Sequence, residues 1–261
     1  MSHIDPWIQQ AVRNIHSDYG VRVSLEAKCK DLFKFGRNLS VTTAPATLMT
    51  LPDGVDHETY VSTNIITHIV SDNAGDTEPV VIEGHTIANG EFTFVVQTVT
   101  LTGQTAVALT TPLARVSRAY ANGSTDLVGA IYVHQSDTVT AGVPQTDTQV
   151  HLMIRAGSNQ SEKCSTTLSS TDYWVVTSFY GDVFSKQSGT FGQVDLGIRL
   201  AGKVFRQIAD LSISDAHRGI HEFHPYLVIP ANSDIRLTAI SDSVTGRDLS
   251  GSIEGTLLTV R

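Results

Sequence analysis

Glu91-Phe92-Thr93-Phe94-Val95-Val96-Gln97-Thr98-Val99-Thr100-Leu101-Thr102 decides the fold class. Its Thr, Val and Phe residues suit a pleated surface, and its alternation has a period of two. Asn89-Gly90 stands directly before it, a pair that accepts the left-handed backbone of a tight hairpin turn. Pro79-Val80-Val81-Ile82-Glu83 reads as the hairpin partner.

The same pattern extends outward. Further strands are predicted at 106–109, 113–121 and 127–134, with Asn122-Gly123 separating the last two. A second series follows at 150–154, 163–168, 173–183, 194–200, 204–213, 219–223, 227–229, 235–241 and 251–260. Its breaks fall at Ala156-Gly157-Ser158-Asn159, Ala201-Gly202-Lys203, Pro230-Ala231-Asn232-Ser233 and Thr245-Gly246-Arg247. Tyr173 to Tyr180 is apolar at both parities, which suits a strand covered on both faces. Many short strands between regular turns point to a mainly β protein with a jelly-roll-like sandwich. The expected division is 1–58 as N-terminal helix and arm, 59–134 as a first β domain, 135–149 as linker or long loop, and 150–261 as the jelly-roll-like domain. Whether the two β regions are one domain or two stays open at this point.

The N-terminal segment has a different period. Asp5 can cap a helix, Pro6 suits its first turn and Gly20 can end it. Ile4, Trp7, Ile8, Ala11, Val12 and Ile15 share one face. That stripe either packs on the protein's own core or docks on a neighbour. Lys28, Lys30, Lys34 and Arg37 follow, with Leu32, Phe33 and Phe35 among them. This reads as a short helix or extended arm with a solvated basic face. Trp7, Ile8, Val12, Ile15, Phe33 and Phe35 are the candidate protein-interface residues.

Composition narrows the function classes. Of the 261 residues, 17% are charged, below the roughly 25% of an average globular domain, and 41% are hydrophobic. A chain this long buries a substantial core. The net charge of −8 argues against nucleic acid as a partner. No stretch approaches the roughly 20 apolar residues of a membrane-spanning helix. Met1-Ser2-His3-Ile4-Asp5-Pro6 lacks the pattern of a signal peptide. Cys29 and Cys164, the two cysteines, are expected as reduced thiols.

Searches for chemistry find little. Nucleophile-elbow, phosphate-loop, dinucleotide-binding and zinc-protease motifs do not occur. Asp215-Ala216-His217-Arg218-Gly219-Ile220-His221-Glu222-Phe223-His224 is the one dense group of imidazoles and carboxylates. His217, His221, Glu222 and His224 are therefore the metal candidates. In a strand, His221 and Phe223 share one face, and Glu222 and His224 take the other. Convergence then needs a bulge or a symmetry axis, so surface or interface histidines without metal are expected. Asp72-Asn73-Ala74-Gly75-Asp76 lacks calcium-loop spacing and reads as a turn. Tyr173, Trp174, Phe179 and Tyr180 could make a sugar platform, but their apolar strand suits core packing.

Several segments carry a family resemblance. They are Asp31-Leu32-Phe33-Lys34-Phe35-Gly36-Arg37-Asn38, Val81-Ile82-Glu83-Gly84, Gln97-Thr98-Val99-Thr100-Leu101-Thr102-Gly103 and Arg115-Val116-Ser117-Arg118-Ala119. Ile154-Arg155-Ala156-Gly157-Ser158-Asn159-Gln160-Ser161 follows, with Arg155 where the resembled turn has proline. Leu227-Val228-Ile229-Pro230-Ala231-Asn232-Ser233-Asp234-Ile235 completes the series. In this order they resemble uncharacterised virion structural proteins of tailed bacteriophages, of the head-decoration, cement or tail-associated β-sandwich kind. The resemblance implies a non-enzymatic virion component without cofactor, assembled in the host cytoplasm. It also implies a homo-oligomer, with a trimer favoured, and the major capsid protein or other virion proteins as partners. A receptor- or carbohydrate-binding adhesin is the alternative, and a metal-dependent hydrolase built on the histidine group is a third reading.

Overall fold

The computed structural model describes residues 27–52, 55, 57–184, 190–215 and 218–260. The expected N-terminal helix, and with it Trp7, Ile8, Val12 and Ile15, lies outside the described residues, as does His217.

Strand periodicity is realised throughout. In chain order the strands are β1 (Ala27–Val41), β2 (Ala46–Thr47), β3 (Ile66–Ser71), β4 (Pro79–Ala88), β5 (Glu91–Thr100) and β6 (Val107–Leu113). They continue with β7 (Arg115–Ala121), β8 (Ile131–Gln135), β9 (Val139–Thr140), β10 (Val143–Pro144), β11 (Val150–Ile154) and β12 (Ser165–Thr167). The last are β13 (Asp172–Val183), β14 (Phe191–Leu200), β15 (Arg206–Ser214), β16 (Gly219–Ile229), β17 (Ser233–Ser241) and β18 (Arg247–Val260). The decisive stretch is β5, paired with β4 from Ala88–Glu91 to Pro79–Thr100. Asn89 and Gly90 turn between them with φ of 53° and 81°.

Two sheets form the larger sandwich. One runs β1-β18-β13-β16 and the other β12-β17-β14-β15, with β2 also on β17. β2 and β12 act as one interrupted strand. Ala46 and Thr47 face Ala239 and Thr238, and Ser165, Thr166 and Thr167 face Arg236, Ile235 and Asp234. At the joint, Leu48 N donates to Leu237 O (2.9 Å), Leu237 N to Cys164 O (3.0 Å) and Cys164 N to Leu48 O (2.9 Å). With that composite strand counted once, each sheet has four strands in the order of a jelly roll. Trp174, Phe179, Leu196, Ile235 and Ile253 lie in its core. Trp174 and Phe179 are fully buried, which places them in packing and not on a sugar platform.

The chain leaves and re-enters the jelly roll at this joint. Met49 bridges Lys163 in antiparallel fashion, and Thr50 N donates to Glu162 O. Between them a second sandwich is inserted, with sheets β11-β8-β3-β6 and β5-β4-β7 around a core that includes Ile66, Ile82, Leu113 and Leu152. β5 and β6 come from different sheets. The Gln97 side chain joins them, giving Nε2 to Thr111 O and accepting Thr111 N, both at 2.9 Å.

Three expectations change. Residues 27–41 form a long strand and not an arm or helix, because β18 pairs with it from Ala27–Val260 to Val41–Arg247. Of the two readings of residues 135–149, the long loop holds and the linker between the two sandwiches does not. These residues make an excursion between β8 and β11, which pair with each other, and the small β9-β10 ribbon holds it together. The segments predicted at 219–223 and 227–229 are one strand, β16.

Gly36 passes directly over the joint. A Cβ there would lie 2.0 Å from Leu48 O and 2.3 Å from Cys164 N. These are backbone atoms that cannot rotate away, so the joint itself would have to open. Gly36→Ala is expected to lower stability by about 2–3 kcal/mol, read as a lower urea midpoint with unchanged slope.

Candidate functional site

β1 alternates across its sheet, and this sets the exposed face. Phe35 faces Ser252 of β18, which faces Tyr180 of β13, which faces Ile220 of β16. Phe33 lies in the parallel row with Glu254, Ser178 and Glu222. The opposite parity, Lys34, Ile253, Phe179 and His221, points inward. Phe33 is 60% exposed, Ile220 49% and Phe184 52%. Phe33, Phe35, Tyr180 and Phe184 line one shallow depression of about 390 Å³. Charged pairs rim it. Arg37 pairs with Asp248 and lies 5.0 Å over the Phe184 ring, and Arg218 pairs with Asp182 at 3.0 Å. An apolar centre within a polar rim is the anatomy of a protein-protein contact.

Among the described residues, His221, Glu222 and His224 do not converge on one point. His221 and Phe223 share a face, with rings 4.7 Å apart, and His221 packs on Phe179 at 5.3 Å. Glu222 and His224 point the other way and meet at 3.4 Å. Among the described residues no three His, Cys, Asp or Glu side chains gather where they could hold a metal ion. The turn at Asp72–Asp76 spends its carboxylates on the backbone. Asp72 accepts Ala130 N, and Asp76 accepts Val128 N, Gly129 N and Ser71 Oγ.

Sequence reading missed the seam between the two sandwiches, which is built from buried charge. Asp234 of the jelly roll accepts Arg115 Nε (2.9 Å) and Nη2 (3.2 Å) from the insert. It also accepts Thr167 Oγ1 at 2.7 Å and Arg199 Nε at 3.0 Å. Burial alone would raise the Asp234 carboxyl pKa, but the bond and charge of Arg115, then Arg199 and Thr167, hold it below the ordinary value. Lys163 pairs with Glu58, and both are buried. Ser165 Oγ gives Glu58 a second bond at 2.7 Å. Lys34 reaches from β1 to Ser117 O at 2.7 Å. Its burial, with Lys163 nearby, pushes its pKa down to about 8. Cys164 is buried at the joint, and burial pushes its thiol up to about 12, an unreactive state.

No protein-family model matches the chain, and no curated protein matches it. Solved structures of infectious bursal disease virus overlay on it weakly. The Gt strain gives a TM-score of 0.23 at 11% identity, over 97% of this chain and 77% of that one. The VP2 subviral particle gives 0.23 at 9% identity, over 98% and 78%. The T13 viral particle gives 0.25 at 10% identity, over 98% and 75%. Overlays at such scores carry no argument, and the fold stands on its strand order.

Two outcomes follow from the buried groups. Asp234→Asn strips the charge that compensates Arg115 and is expected to cost about 3–5 kcal/mol of stability, measured by urea denaturation. The second concerns protons. Burial lowers the pKa of His85 to about 3 and of His151 to about 4, and it lowers that of His134 as well. The unfolded rings take up protons near the ordinary value of 6.5, so below it the unfolded chain binds more protons. Stability is therefore full above that pH and falls as pH drops below it, by up to about 1.4 kcal/mol per pH unit for each ring. Urea midpoints from about pH 8 to about pH 5 read this fall, and His151→Gln is expected to flatten it.

Proposed function

We propose that this protein is a non-enzymatic structural component of a virus particle, of the bacteriophage decoration, cement or head-tail-associated kind. The observation that carries the reading is the exposed aromatic face of the β1-β18-β13-β16 sheet. A folded chain gains nothing by leaving Phe33, Phe35, Phe184 and Ile220 in water, whereas a partner surface that covers them gains about 1.5–3 kcal/mol per large side chain. Jelly rolls recur in viral capsids and in lectins, so the architecture is compatible with the role without fixing it. The resemblance of the ordered segments from Asp31 to Ile235 to phage virion proteins supports the capsid side of that choice.

On this reading the protein works by association. Copies assemble as a closed homo-oligomer, with a trimer favoured. The aromatic face docks on the major capsid protein or another virion neighbour, and the amphipathic stripe of Trp7, Ile8, Val12 and Ile15 adds a second contact. The role needs no catalytic residue and no cofactor, and its place is the virion assembled in the host cytoplasm.

Phe33→Glu with Phe35→Glu places two charges on the exposed aromatic face. Both residues are exposed, so circular dichroism and the unfolding midpoint are expected to stay near wild type. Incorporation into particles, or association measured by light scattering after size exclusion, is expected to fall by roughly a hundredfold or more. Normal incorporation of the double variant would overturn the assignment of this face. Removal of residues 1–20 is expected to weaken incorporation while the β domains stay folded.

A further inference from the structure

A cavity of about 510 Å³ opens where the seam reaches the surface. Two hairpin turns form its rim, Asn89-Gly90 from the insert and Ala201-Gly202-Lys203 from the jelly roll. Gly90 and Gly202 hold positive φ, and nothing stands within 4 Å of where their Cβ atoms would be. Backbone therefore borders open space on both sides.

Arg115 and Arg199, which line the cavity, belong to a ladder of cations and rings. Arg236 lies 4.0 Å over Phe205, and Arg199 lies 4.8 Å from that ring and 4.3 Å from Tyr60. Arg115 follows, 5.0 Å from Tyr60 and 5.1 Å from Phe92. Arg115 and Arg199 thus share one bonded carboxylate, Asp234, in a chain whose net charge is −8. Arg115 is almost fully used, because Nη1 also donates to Val61 O and Ala114 O. Arg199 is not. Its Nε and Nη2 both go to Asp234 Oδ2, and its Nη1 has no hydrogen bond among the described residues. The exposed Lys203 adds a further positive charge at the rim.

We propose that this cavity binds a small hydroxylated organic carboxylate, such as a sugar acid, held by Arg199 and Lys203 between the two sandwiches. The free edge of Arg199 offers the donors a carboxylate takes. Val61, Ile87 and Phe92 supply an apolar wall, and Ser62 and Asn89 supply polar groups on the same rim. The volume fits a molecule of monosaccharide size. Because its contacts come from both sandwiches, the bound anion fastens one to the other. The inference stands apart from the virion reading, and either can fail without the other.

The test is titration of the full-length protein with glucuronate, against glucose and inorganic phosphate at matched ionic strength. Amide shifts report the site and isothermal calorimetry the affinity. Glucuronate is expected to bind and to shift Gly90 and Gly202, while glucose does not. Arg199→Gln and Lys203→Ala are each expected to weaken binding by about tenfold or more. Lys203 is a rim residue whose loss leaves the fold intact, so its variant keeps the test decisive if Arg199→Gln fails to fold. Equal response to glucuronate and glucose, tighter binding of phosphate, or unchanged affinity in Lys203→Ala would each overturn the assignment.

Discussion

Asp234 sits at the end of β17 nearest the insert, and both sandwiches close on it. Its two oxygens accept five hydrogen bonds, from Arg115 of the insert and from Arg199 and Thr167 of the jelly roll. A carboxylate has roughly four lone-pair sites, so this one is saturated. A charge buried this deeply is tolerated only when it is fully bonded. That requirement makes the seam directional. Apolar surfaces would let the insert slide or rotate at little cost, since burial of apolar area has no preferred orientation. A shared carboxylate accepts only the orientation that brings Arg115 to it.

The composite strand imposes the complementary restraint. β2 and β12 are too short to stand alone, with two and three residues. They persist because β17 receives them in one register, and because Leu48 and Cys164 bond each other where the insert departs. The insert is therefore tied by two adjacent strands at one point and by Asp234 at another. Lys34 adds a third tie from β1 to Ser117 O, and Phe92 N adds a fourth by donating to Asn232 Oδ1. The price of this arrangement is desolvated charge at Lys34, Lys163, Glu58, Arg115 and Asp234.

Much of this was legible in the sequence and some could not be. Alternating runs gave β5 and β17 almost as observed, because half-buried strands alternate whatever their partners; the apolar run from Tyr173 gave β13, and β4 was read to Glu83 but extends to Ala88. The Asn89-Gly90 turn was legible because few residues accept its backbone. β1 was misread for a physical reason. Lys30 and Lys34 bracket Leu32 at one parity, and Phe33 and Phe35 take the other. A buried lysine on the inward face inverts the usual polar-out rule, so the run looked like a solvated basic segment. Residues 163–168 were legible as a strand, but not the burial of Ser165, Thr166 and Thr167, where Ser165 and Thr167 bond to Glu58 and Asp234. Residues 135–149 looked like a linker or long loop because they lack large apolar residues. Asp137 supplies what a core would have supplied, taking bonds from Thr138 N and Thr146 N.

The site residues divide along the same line. Phe33 and Phe35, the proposed interface pair, stand out in the sequence as aromatic residues in a basic run, and both are exposed. Arg115, Arg199 and Asp234 do not, because each is one charged residue near the end of an ordinary strand and their meaning lies in convergence across more than a hundred residues of chain. Length and pattern locate strands, but they do not say that a domain is inserted inside one of them. Only the pairing of Leu48 and Cys164 on the same residue of β17 shows that. Once the joint is known, the seam becomes a necessity. An insert tethered at a single narrow neck needs a second fixed point to hold one orientation, and a saturated buried carboxylate is the most exacting fixed point a side chain can provide.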